Sequence, residues 1–355
     1  MNQAIDPAGL ENLKETMRRL PCITADLPGV GGFIKAVPEH FSVEEVLPYA
    51  PCGEGDHVFV SLRRKGWNTA DVATALAEAF NLKTMDVGWA GRKDKQAVTT
   101  QTFSLPISER TPLPEIEKVL EAVPFEILGV QRHRNKLKTG HVAGNRFSIV
   151  ISQVSHQDMP KAQAIADALR ARGLPNFYGE QRFGFSMGNL DRAMALLHRR
   201  KPVRGNQETF LVSALQGALF NVWLVERMAR GQYHTILQGD VARKTDTGGV
   251  FVVDDAVEAA QRFDRRAIVY TGPIFGHKMM LAAEPAAAFE TGVASAFGLD
   301  HDLLKKLRAP GSRRQALLYI ENLTLEPDPE GLRLTFSLPS GAYATEVTRE
   351  FTRTA

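Results

Sequence analysis

The chain has 355 residues, 44% of them hydrophobic and 23% charged, and a net charge of +3. These values allow two domains with sizeable cores and argue against global disorder, while so mild a charge names no partner. Cys22 and Cys52 are the only cysteines and form no C-x-x-C pair, which argues against a disulfide framework and structural zinc and fits a reducing compartment.

The opening MNQAIDPAGLENLKETMRRL carries Asp6, Glu11 and Glu15 and no apolar core, so neither a secretory signal nor a transit peptide is expected. No apolar run is expected to reach bilayer-spanning length, and a soluble cytoplasmic protein is the default expectation. FIKAVPEHFSVEEV (33–46) reads as two short strands broken at Pro38. DHVFVSLRR (56–64) alternates, with Val58, Val60 and Leu62 on one face. Asn68 reads as an N-cap, with Asp71 three residues on, for a helix through Val72, Leu76 and Phe80.

VGWA (87–90), AVTTQTFSL (97–105), FEILGVQRH (125–133) and NRFSIVISQV (145–154) read as strands, and 159–172 as a helix. The first 170 residues therefore predict a strand-rich α+β unit. The character changes after GLPNFYGEQRFGFSMGN (173–189), a stretch dense in glycine and aromatics. LDRAMALLHRR, SALQGALFNVWLVERMA and EPAAAFETGVASAFG make 189–315 mainly helical, and strands return in QALLYIENLTLE (315–326) and LRLTFSLP (332–339). The expected organisation is a discontinuous domain of 1–175 and 316–355, interrupted by a largely helical insertion over 176–315.

Most familiar chemistries find no support. GVGGFI (29–34) lacks dinucleotide-loop spacing, and TGGVFVVDD (247–255) has its glycines before the strand, so it reads as a hairpin. There is no Walker loop, no H-E-x-x-H, no deaminase signature and no G-x-S-x-G elbow. An enzyme without cofactor or metal, or a protein that only binds, remains.

Three segments are rich in cations: QRHRNKLKTGH (Arg132, Arg134, Lys136, Lys138), RRKPVR (Arg199, Arg200, Lys201, Arg204) and LLKKLRAPGSRR (Lys305, Lys306, Arg308, Arg313, Arg314). Acid-free clusters in a nearly neutral chain suit a polyanion such as RNA, and Phe147, Phe177, Tyr178 and Phe183 nearby could stack on an unpaired base or simply fill the core.

AGRKDKQAVTTQ (90–101) places one acid, Asp94, among Arg92, Lys93 and Lys95, at the mouth of a strand. Neighbouring cations keep such a carboxylate ionised, and a lone reactive carboxylate suits nucleophilic attack or proton abstraction. This stretch resembles the catalytic motif of the TruD family of tRNA pseudouridine synthases. FSVEEVL (41–47), GNRFSIVI (144–151), NFYGEQRFG (176–184), SALQGALFN (213–221) and LPSGAYATEVTREF (338–351) resemble the family's other segments, in order, over residues 30–351.

The resemblance implies an α+β pseudouridine synthase core, a mixed, mostly antiparallel sheet flanked by helices, carrying an inserted, largely helical TRUD domain. It implies isomerisation of uridine 13 in the D-arm of tRNA, without a cofactor, the nucleotide being flipped into a cleft between core and insertion; tRNA is the implied partner, with no membrane and no protein partner. Asp94 falls on the family's catalytic aspartate and Phe147 where a phenylalanine packs on the target base. Phe41, Asn145 and Tyr343 match positions lining the uridine pocket, and Lys35 and Glu45 match charged residues near it. Arg92, Lys93, Lys95, Arg132, Arg134, Lys136, Lys138, Arg199, Arg200 and Lys201 are candidates for RNA phosphates. Lys95 stands where arginine is frequent, Ser152 where a basic residue is frequent, and Tyr343 where phenylalanine also occurs. Whether Asp94 attacks C6, attacks C1′ or takes the C2′ proton stays open. A binding-only RNA factor would share the cation clusters but would not need Asp94.

Overall fold

The computed structural model describes residues 7–199 and 202–353. The chain divides into two compact units, one of residues 28–167 and 320–344, the other of 1–27, 168–319 and 345–355.

The first unit is built on strands β1 (Phe33–Ile34), β2 (Phe41–Val46), β3 (His57–Lys65), β4 (Gly88–Trp89), β5 (Val98–Pro106), β6 (Glu126–His133) and β7 (Gly144–Ser152). The chain then leaves this sheet for β8 (Leu174–Pro175), β9 (Val241–Lys244), β10 (Val250–Val252), β11 (Ile268–Ile274), β12 (Ser312–Gln315) and β13 (Leu317–Leu318), returning with β14 (Thr324–Asp328) and β15 (Gly331–Pro339). The sheet order is β14-β15-β7-β2-β5-β3-β6, with β1 beside β7 and β4 beside β5. Only β2 and β5 pair in parallel among these strands, so the sheet is mixed and mostly antiparallel.

Register decides which side chains share a face, because directly opposed residues point the same way. Val43 opposes Phe147 and Thr99; Glu45 opposes Asn145; Arg64 opposes Thr99; Leu62 opposes Gln101; Phe336 opposes Phe147. One face therefore carries a polar group, Glu45, Asn145, Thr99, Gln101 and Arg64, beside an aromatic group, Phe41, Phe147 and Phe336. Helices α2 (Thr69–Ala79) and α3 (Leu113–Leu120) contribute Val72, Leu76, Ile116 and Leu120 to a core shared with Val58, Val60, Leu62 and Phe103. The alternate residues form the other face, which is wet at the exposed pairs Glu44–Arg146 and Arg63–Glu126 and covered around Phe59, which packs with Ala90 and Leu137.

Asn68 caps α2, its side chain accepting from the Asp71 N–H at 2.9 Å, as the sequence predicts. The break at Pro38 is one turn of 3-10 helix, Pro38–His40.

The second unit contains α1 (Pro7–Arg18), the C-terminal end of α4 (Met159–Arg172), α5 (Gly188–His198), α6 (Gly205–Ala229), α7 (Ala256–Asp264), α8 (Ala286–Ala296), α9 (His301–Lys306) and nearly all of α10 (Ala344–Thr352). TGGVFVVDD lies in the β9–β10 hairpin, as expected, and joins a four-stranded sheet ordered β10-β9-β11-β12 that the reading of 189–315 as mainly helical does not anticipate. Its inner strand β11, IVYTGPI, is buried along almost its whole length, so it shows no alternation to read.

α6 corrects the expectation about apolar runs. By length and composition it could cross a membrane, but 61% of its most apolar window is buried. Leu215, Leu219, Phe220, Trp223 and Leu224 spend that apolar surface on the unit's own core.

The chain ends join this unit through a buried carboxylate. Glu350 accepts from the Ile23 N–H at 2.9 Å, the Thr24 N–H at 3.1 Å and the Thr24 hydroxyl at 2.6 Å. Arg353 and Arg349 add bonds to the Leu27 and Leu20 carbonyls at 2.9 and 2.5 Å. The termini therefore pack with the largely helical unit, whereas the sequence-based division assigned them to the discontinuous domain.

Candidate active site

Asp94 lies in the turn between β4 and β5, half exposed. Lys35 Nζ donates to its Oδ2 at 2.7 Å, and the Gln96 N–H donates to its Oδ1 at 3.0 Å. Burial pushes this carboxyl's pKa up, but the Lys35 hydrogen bond, the Gln96 and Lys95 backbone N–H groups and the Lys35 charge outweigh it, so the net shift is downward. The cation beside Asp94 is thus Lys35, 59 residues away in sequence, and not one of its chain neighbours.

Lys35 follows Gly31 and Gly32 and itself sits at φ 59°, a left-handed conformation that a lysine adopts at a cost. Its Nζ also lies 4.4 Å from the centroid of the Phe41 ring. Phe41 meets Phe147 edge-on at 6.0 Å, and Phe147 stacks on Phe336 at 5.4 Å with 27° between planes. Asp94, Lys35, Phe41, Phe147 and Phe336 form one chain of contacts, joining the carboxylate to an aromatic wall.

Glu45 and Asn145, opposed across β2 and β7, occupy the polar side of the same face. The Glu45 side chain is 0% exposed, and Lys93, 8% exposed, reaches its Oε1 at 2.5 Å. Lys93 is therefore committed inside the protein and is not free for a phosphate. The Asn145 Oδ1 and Glu45 Oε2 atoms are buried without a hydrogen-bond partner. Buried acceptors left open cost free energy unless a ligand or water fills them, so both mark a place for a donor. Tyr343 is partly buried, immediately before α10.

The cation clusters divide in the same way. Arg132 is buried and donates to the carbonyls of Gly55 at 3.3 Å, Ile107 at 3.0 Å and Thr111, which makes it a structural residue. Arg134 pairs with Glu54 and Lys136 donates to the Met85 carbonyl at 2.8 Å. Arg199 pairs with Glu208 at 2.5 Å, while Arg200 and Lys201 lie outside the described residues. In the third cluster Arg313 is buried against Glu290 at 2.6 Å, and Arg314 donates to Asn176 Oδ1 at 2.6 Å. Arg92, Lys95 and Lys138 are exposed and have no side-chain partner among the described residues.

Lys138 and Lys136 line a hollow of about 570 Å³ with Tyr49, His57, His133 and His141. It adjoins the turn, since the Gly140 N–H donates to the Ala90 carbonyl at 2.8 Å. No cluster of three or more His, Cys, Asp or Glu suited to a metal ion occurs among the described residues.

Phe336 and the polar group Arg64, Thr69, Thr99 and Gln101 escape sequence reasoning. The signal available was phase. Thr99 and Gln101 occupy inward positions of β5, in step with Phe103, where an apolar residue is expected.

The family model for tRNA pseudouridine synthase D (TruD) matches residues 19–200 and 188–351. A protein named tRNA pseudouridine synthase D from Anaeromyxobacter dehalogenans is 44% identical over 348 residues, covering 95% of this chain and 97% of the relative. Its namesake from Thermus thermophilus is 41% identical over 334 residues, covering 94% and 92%. In fold, the chain matches a crystal structure from Methanosarcina mazei titled for the same family, with a TM-score of 0.76 at 22% identity, covering 96% of this chain and 98% of the other.

Proposed function

The chain belongs to the TruD family of tRNA pseudouridine synthases, and we propose that it isomerises uridine 13 of tRNA to pseudouridine with Asp94 as the reacting carboxylate. The observation that carries this reading is the setting of Asp94: a carboxylate that accepts from Lys35 and from the Gln96 N–H, contacts that draw its pKa down, beside an aromatic wall.

The reaction breaks the bond from C1′ to N1 and forms one from C1′ to C5; C5 loses its proton and N1 gains one. No electron is transferred and no group leaves the substrate, so the proposal needs no cofactor. An ionised carboxylate serves each available first step, attack on C6, attack on C1′ or removal of the C2′ proton. A primary 2′-deuterium effect on turnover marks the last of these and is absent from the other two.

Uridine 13 lies within folded tRNA, so the nucleotide must be extruded, at a cost of about a few kcal/mol. In our reading Phe147, backed by Phe336 and edged by Phe41, packs against the base. Asn145 Oδ1 is the open acceptor for a base N–H, and Tyr343 completes the pocket. Arg92, Lys95 and Lys138 hold flanking phosphates. We assign catalysis to the unit of 28–167 and 320–344, regard residues 176–315 of the other as the family's inserted domain, and place the protein in the cytoplasm with its substrate.

The test is site-specific. Unmodified tRNA bearing U13 should acquire a carbodiimide-dependent primer-extension stop that reports position 13, and the same tRNA bearing C13 should not. Conversion of another uridine, or of none, would overturn the assignment of substrate position.

A further inference from the structure

Asp94 is half exposed in a glycine-containing turn, a poor mounting for a group whose placement governs rate. Yet the backbone just before it is tied down from beneath. The Thr69 hydroxyl, at the first position of α2, accepts the Lys93 N–H at 2.9 Å. Gln101 Nε2, on β5, donates to the Gly91 carbonyl at 2.6 Å.

These two side chains also bind each other, Thr69 Oγ1 donating to Gln101 Oε1 at 3.3 Å. Arg64 NH2 donates to the same hydroxyl at 3.2 Å. A hydroxyl has one proton and two lone pairs, so Thr69 is saturated and its proton can point only at Gln101. That fixes the Gln101 amide with its NH₂ toward Gly91 and toward Glu45 Oε1, at 3.4 Å, which Lys93 Nζ also binds. The circuit runs from Thr69 to Gln101, Glu45 and the Lys93 side chain, and closes through the Lys93 backbone onto Thr69. Thr69, Gln101 and Arg64 are buried.

We propose that Thr69 and Gln101 are positioning residues that clamp the Gly91–Lys93 backbone and so fix where Asp94 meets the substrate. Neither touches the carboxylate. The clamp rests on the proposed role of Asp94 for its effect on rate, but its effect on the turn stands independently of that role.

The test uses the full-length protein and four variants. Thr69→Val keeps the shape and loses the hydroxyl, Thr69→Ser restores the hydroxyl, Gln101→Met loses all three amide hydrogen bonds, and the fourth is the Thr69→Val/Gln101→Met double variant. Misplacement of a reacting group by about 1 Å can cost on the order of a hundredfold in rate. Single-turnover kcat should therefore fall by roughly that factor in Thr69→Val, with tRNA Kd unchanged, and recover in Thr69→Ser. The double variant should lose little more than its worse parent, because both break one circuit.

Hydrogen exchange across residues 89–98 supplies a readout that needs no turnover. It should quicken in Thr69→Val and Gln101→Met while the rest of β5 stays protected, and return to normal in Thr69→Ser. Unchanged exchange in that segment would overturn the clamp whatever the enzyme's activity, as would losses that multiply in the double variant. Global loss of protection in Thr69→Val passes the decision to Gln101→Met. Altered exchange in an enzyme that isomerises no tRNA would keep the clamp and strike the proposed reaction alone.

Discussion

At the scale of the residue, Lys35 governs Asp94. Three cations surround Asp94 in sequence, and a sequence reader credits them with holding its charge. The structure gives that work to Lys35, which follows β1 directly, after two glycines on the strand's other side, and sits at a left-handed φ. Only Arg92 and Lys95 of the three remain free, since Lys93 turns inward to Glu45. The lowered pKa has a definite sign: Asp94 stays charged until the pH falls through its depressed folded value, and activity that needs the charge is lost there. In Lys35→Met the main downward influence is gone and burial still pushes up. The acid limb of kcat/KM against pH should therefore move to higher pH. A limb that stays where it is would show that Lys35 does not set the charge of Asp94.

At the scale of the element, period-2 strands are legible because one face is mainly buried while the other carries exposed residues such as Glu44, Arg63 and Arg146. β2, β3, β5, β7 and β15 all appear where alternation places them. β11 was not legible, since an inner strand buried nearly throughout has no wet face to break the pattern. The clamp was half legible: Asn68 announced the start of α2, but nothing local shows that the next residue reaches a loop 24 positions on.

The largest fully buried charged side chain among the described residues is Arg227, in α6. Arg227 bonds Asp240 at 2.8 and 2.6 Å, donates to the Thr235 carbonyl at 2.8 Å and covers the Tyr270 ring at 3.9 Å. Both partners of the ion pair are at most 3% exposed. Arg227→Met strands the Asp240 carboxylate in the core and should cost about 3–5 kcal/mol in denaturant unfolding. A loss under about 1 kcal/mol would mean that the pair is dispensable to this unit.

At the scale of the whole molecule, ordered motifs gave the family and the mixed sheet, while counts of cations misled. Arg132 and Arg313 look like surface charges in the sequence and are internal struts in the structure. A cluster of basic residues does not reveal which guanidinium groups are already satisfied by carbonyls. Around the Asp94 turn, Arg92, Lys95 and Lys138 have no side-chain partner among the described residues, and the salt dependence of binding should count them. Each phosphate contact contributes about 0.7–0.9 to the slope of log K against log salt. Replacing all three by alanine should flatten that slope by about two to three for tRNA binding. An unchanged slope would place the phosphate contacts elsewhere.

The most direct test of the central claim compares the intact protein with Asp94→Asn on unmodified tRNA carrying U13, in EDTA and without added cofactor. Asparagine keeps the shape and can still accept from Lys35, but it cannot carry the charge. The account predicts pseudouridine at position 13 with the native protein, none with Asp94→Asn, and tRNA binding retained by both. Isomerisation by Asp94→Asn at the native rate would contradict it.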